Sequence, residues 1–173
     1  MLTYMSLDWD SQPVRAAKLK ALQAYFKTSD PHPFAMLATD AMSPDNSDRG
    51  STLVINSHGN AAVFGGYKPA AFLAELRGKG FASGSFEKIY LMACKVGHAS
   101  QDNSIITNFA TDLKRELTGA DIGDVKLYAP RGTLAYDMVN QTKDGQTFPV
   151  VTRIFIDTPE RQYPLTEGML LIT

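Results

Sequence analysis

Apolar residues recur along this chain with two periods. From Pro13 to Phe26, Val14, Ala17, Leu19, Leu22 and Phe26 return at roughly helical spacing with Lys18, Lys20 and Gln23 between them, which predicts an amphipathic helix. Asp30, Pro31 and Pro33 break that pattern before the short apolar run 34–39, read as the first strand, and the Asp, Ser, Pro and Gly of 40–50 read as a surface loop. In 51–57 (STLVINS) the residues Leu53, Val54 and Ile55 are continuously apolar, as a strand covered on both faces requires. A compact helix from Pro69 to Arg77 follows, opened by proline and closed before Gly78 and Gly80. Next come an apolar strand from Phe86 to Cys94, a helical pattern from Asn103 to Leu117 and a strand from Val125 to Ala129.

Strands alternating with helices of this length give right-handed crossovers. The expected fold class is therefore α/β, a mostly parallel sheet with helices on both faces. The last third breaks the alternation: Leu134 to Val139 and Phe148 to Ile156 flank Lys143-Asp144-Gly145, and the Asp-Gly pair is a strong hairpin signal. An antiparallel C-terminal flap appended to the parallel core is expected. Pro159 and Pro164 make 158–165 irregular, and the pattern assigns no place to the final apolar run Met169 to Ile172.

With 173 residues and 44% hydrophobic residues, the chain fits one domain, 1–173, with one sizeable core. Lys and Arg number 17 against 18 Asp and Glu, which gives no general attraction to nucleic acid or an anionic membrane. Asp8 and Asp10 stand where a signal peptide wants basic residues, and no run approaches the roughly 18 apolar residues of a spanning helix. No membrane span is expected, and the location expected is cytoplasmic, or secreted by a route without a cleavable signal peptide. The single cysteine, Cys94, excludes an internal disulfide and a cysteine-rich metal site, leaving a buried small hydrophobe or a reactive thiol. No metal and no cofactor is expected.

In open parallel sheets ligands bind beyond the carboxyl ends of the strands, where loops and helix N-termini offer unpaired N–H groups. His58 leaves one such end and Cys94 another, and the helix from Pro69 to Arg77 is the crossover between them. An imidazole beside a thiol favours the thiolate that a nucleophile needs. The backbone N–H groups of Gly59 and Cys94 are candidate donors to a developing oxyanion, where one donor is typically worth about 3 kcal/mol. His98 ranks second as base because it shares the loop that carries Cys94, and His32, between two prolines, is expected to be inert. Residues 78–84 neither follow a strand nor open a helix, so their glycines read as a turn rather than a phosphate loop. Trp9 and Tyr4 read as packing residues that tie the N-terminus to the sheet.

A strand ending in His-Gly (VINSHG), a crossover and a strand ending in Ala-Cys (IYLMAC) together resemble the clan of caspases, legumains, gingipains and clostripains. Within it the chain most resembles the small self-processing cysteine peptidase domains of bacterial toxins, in which a polar turn and an antiparallel flap also follow a strand like Val125 to Ala129. The resemblance implies a three-layer caspase-like fold and a cysteine endopeptidase that acts on a protein or peptide substrate through a thioester acyl-enzyme, as a bacterial effector or toxin domain. By it His58 is the general base, Cys94 the nucleophile, and Gly59 with Cys94 the oxyanion donors. Arg131 falls where relatives shape the substrate pocket, Asp40 is a second substrate-side candidate, and Asp40 or Asn56 could orient the imidazole. Relatives with a flap can be activated by inositol hexakisphosphate, but Lys126, Lys143, Arg153 and Arg161 are too scattered in sequence to define such a site. A catalytically silent module of the same fold, and a flavodoxin-like domain with Cys94 in its core, are the competing readings.

Overall fold

The structure, a computed structural model, describes residues 2–7, 10–26, 34–37, 52–94 and 108–173. Its main sheet has six strands in the order β2-β1-β3-β4-β5-β9. They are β1 (Leu2–Ser6), β2 (Phe34–Leu37), β3 (Thr52–Asn56), β4 (Lys88–Met92), β5 (Lys126–Pro130) and β9 (Met169–Ile172). β1 to β5 run parallel and β9 closes one edge antiparallel to β5. The mostly parallel sheet expected from the alternating pattern is present.

Two strands differ from the expectation. The first strand is β1, and the run beginning at Phe34 is an edge strand beside it. β1 is short and mixes Thr3, Tyr4 and Ser6 with its apolar residues, so no period marks it; it becomes a strand by inserting between β2 and β3, where both backbone edges find partners. The unplaced run at the C-terminus is β9, which pairs Leu127 with Ile172 through Pro130 with Met169.

The alternation of side chains explains the continuous apolar run in β3. Leu53 and Ile55, with Ile89 and Leu91 of β4 and Leu127 of β5, face α2 (Pro69–Gly78) and α3 (Phe109–Gly119) in one core cluster. Val54 and Met92 face the other way, toward Leu22 of α1 (Gln12–Tyr25) and Leu134, Ile156 and Tyr163. Helices thus cover both faces of the sheet. α3 begins at Phe109 rather than at Asn103, because Asn108 is extended (φ −123°, ψ 167°) and its side chain caps the helix by accepting the Thr111 N–H at 2.9 Å. Residues 103–107 of the expected helix lie outside the described residues.

The C-terminal third forms a three-stranded antiparallel sheet, β6 (Thr133–Lys143), β7 (Gln146–Asp157) and β8 (Gln162–Pro164). Its turn is the one expected: Asp144 and Gly145 have φ of +52° and +75°, as a two-residue turn matched to strand twist requires. It is less an appendage than expected, since Leu134, Ile156 and Tyr163 share the second core cluster with α1 and the main sheet. A short helix, α4 (Leu165–Gly168), joins β8 to β9.

Candidate functional site

The register of β3 and β4 decides where the sequence candidates fall. Asn56 stands opposite Met92, and the ladder continues one step through a hydrogen bond of 3.1 Å from Ser57 N–H to the Met92 carbonyl. His58 and Cys94 therefore follow at equivalent positions, each two residues past a paired position, on neighbouring strands that lie about 4.8 Å apart. His58 is exposed and Cys94 half-buried. The Cys94 thiol donates to the Leu134 carbonyl of β6, Sγ to oxygen 3.6 Å.

Beyond β3 the chain forms a small antiparallel structure that the periodicity did not reveal. Gly59 pairs with Phe64, and Phe64 with Tyr67. Gly65 N–H donates to the His58 carbonyl at 2.8 Å and Asn60 N–H to the Val63 carbonyl at 2.9 Å. Gly59 lies between these two bonds, so its own N–H is directed away from Phe64. The Asn60 side chain closes the loop by accepting Ala62 and Val63 N–H at 2.8 and 3.1 Å. Gly65 and Gly66, with φ of +58° and +83°, make the reversing turn. Phe64 anchors it, fully buried with its ring centroid 5.1 Å from Phe72 and 5.6 Å from Phe109. Phe109 N–H donates to the Ala61 carbonyl at 2.7 Å, tying the start of α3 to this loop. The Gly-Gly pair was the one sequence signal for it.

Asn56 is almost fully buried (1% exposed), and its Oδ1 accepts a 2.9 Å hydrogen bond from the Tyr136 hydroxyl of β6. The Tyr136 ring lies 4.8 Å from Lys18 Nζ, and Lys18 forms an ion pair with Asp10. These partners, from α1 and β6, converge on the end of the strand that carries His58, and sequence spacing gave no hint of them because Asn56 and Tyr136 are 80 residues apart.

Arg131 immediately follows β5, where its N–H donates to the Gly168 carbonyl at 2.9 Å. Its guanidinium lies 4.7 Å from the centroid of the Tyr163 ring, and that of Arg161 lies 4.2 Å from it. Hydrogen bonds from Arg161 and then Arg131 hold the Tyr163 hydroxyl below the usual tyrosine range. Arg131 is thus engaged with a tyrosine of the antiparallel sheet. Lys126, Arg153 and Arg161 pair with Glu87, Asp137 and Glu167 respectively. Asp40, His98, His32 and Trp9 lie outside the described residues. Residues 78–84 close α2 and turn, with Gly80 and Gly84 at φ +96° and +78°. Among the described residues no group of three or more His, Cys, Asp or Glu side chains could hold a metal, and no helix is long and apolar enough to cross a membrane.

No protein-family model matches this chain, and comparison with curated protein sequences returns no match.

Proposed function

We propose that the chain is a caspase-like cysteine peptidase in which His58 and Cys94 form the catalytic dyad. The observation that carries this reading is the pairing of Asn56 with Met92, which brings the two residues to equivalent positions beyond neighbouring parallel strands. In the reaction His58 takes the Cys94 proton, the thiolate attacks the scissile carbonyl, and the oxyanion is held by the N–H groups of Gly59 and Cys94. Collapse of the intermediate breaks the C–N bond, with His58 returning its proton to the leaving amine. Water then attacks the thioester with His58 as base, releasing the acid and restoring the thiol.

A catalytically silent module that binds a protein partner through the same cleft is the second reading, favoured by the hydrogen bond that holds the thiol proton on Leu134. Incubating the chain with a diverse peptide mixture and sequencing the products separates the two. The peptidase reading expects new peptide termini that vanish in both Cys94→Ala and His58→Ala. Cleavage that survives Cys94→Ala, or no cleavage by a chain whose Cys94 reacts no faster with iodoacetamide than a free thiol, would overturn it.

A further inference from the structure

β6 reaches both strand ends at once. The Leu134 carbonyl accepts the Cys94 thiol, and two residues further along the same strand the Tyr136 hydroxyl donates to Asn56, two residues before His58. The Asn56 end of this bond is buried, so losing the partner would leave a buried polar group short of a hydrogen bond. The ring is held from the α1 side by Lys18, whose charge is balanced by Asp10. Because His58 itself is exposed, its direction depends on how the backbone leaves β3, where the Asn56 side chain is buried and bonded to Tyr136.

We propose that Tyr136 is a positioning residue for the dyad: by holding Asn56 it sets the direction in which β3 delivers His58, on the strand whose Leu134 carbonyl sets the thiol. This rests on the cysteine–histidine reading above. In this role Tyr136 acts through its hydrogen bond to Asn56.

The test is the rate at which iodoacetamide labels the folded, intact chain at neutral pH, followed by mass spectrometry; Cys94 is the only cysteine, so the signal is unambiguous. Tyr136→Phe, which deletes one hydroxyl, is expected to slow labelling about tenfold, because a displaced imidazole no longer favours the thiolate. Asn56→Ala is a second route to the same loss, and the double variant is expected to be no slower than the slower single one. A merely structural role predicts the opposite sign, since loosening the packing around a half-buried thiol speeds its labelling. Unchanged or faster labelling in Tyr136→Phe, or additive effects in the double variant, would overturn the inference. His58→Ala tells the two failures apart. If it leaves labelling unchanged the dyad itself is wrong, whereas if it slows labelling and Tyr136→Phe does not, only the role of Tyr136 is wrong.

Discussion

Replacing Gly65 by alanine perturbs the turn that holds His58. Gly65 has φ +58°, a left-handed conformation that costs a residue with a Cβ about 1–2 kcal/mol. The added Cβ would also lie 3.0 Å from Ser57 Oγ and 3.3 Å from Leu7 Cδ1, closer than ordinary van der Waals contact, and Ser57 is itself buried. Gly66, with φ +83°, has nothing within 4 Å of its Cβ position, so Gly66→Ala carries the backbone cost alone. For a chain of this size each kcal/mol shifts the melting temperature by about 2–4 °C, so the backbone cost alone lowers melting by about 2–8 °C, and the crowding places Gly65→Ala lower still. Gly66→Ala should melt between the two. Asparagine tolerates the left-handed region, as Asp144 does in the other turn at φ +52°. Gly66→Asn should therefore be nearly neutral, while Gly65→Asn keeps the crowding against Ser57 and stays destabilised. Differential scanning calorimetry of the four variants measures this directly. A Gly65→Ala protein that melts no lower than Gly66→Ala would refute the claim that this turn is packed against the strand end.

Two further outcomes test the core. Phe72, fully buried between Phe64 and Phe109, should cost about 3–5 kcal/mol on truncation to alanine, read as a lowered urea midpoint at unchanged slope. Burial, with the neighbouring Tyr128 and Tyr25, pushes the Tyr90 hydroxyl up to about 12 from its ordinary value of 10.0. The unfolded chain therefore loses this proton first, so the stability linked to Tyr90 is complete below pH 10 and is lost as pH rises toward 12. Guanidinium midpoints should fall across that window and fall less in Tyr90→Phe; identical slopes for the two proteins would count against the burial.

The difference between elements that were legible and those that were not follows from how far apart their determinants lie. α1, α2, β3, β5 and the β6–β7 hairpin each carry their own signal: a helical period, a proline at the first turn, a continuous apolar run, an Asp-Gly pair. β1 carries none and the apolar run of β9 carries no placement, because a short segment becomes a strand of a given sheet only when neighbours supply hydrogen bonds to its edges. The order of His58 and Cys94 at two strand ends was likewise readable, since each end is local.

By itself, then, the sequence determined the alternation of strands and helices, the antiparallel hairpin, and the candidates His58, Gly59 and Cys94. Only the tertiary structure decided that β3 and β4 are neighbours in a register that makes His58 and Cys94 equivalent positions, and that β6 bonds to Cys94 through Leu134 and to Asn56 through Tyr136. Local propensities act over a few residues, whereas register and side-chain hydrogen bonds between residues 40 and 80 positions apart arise only when separate apolar faces are buried together.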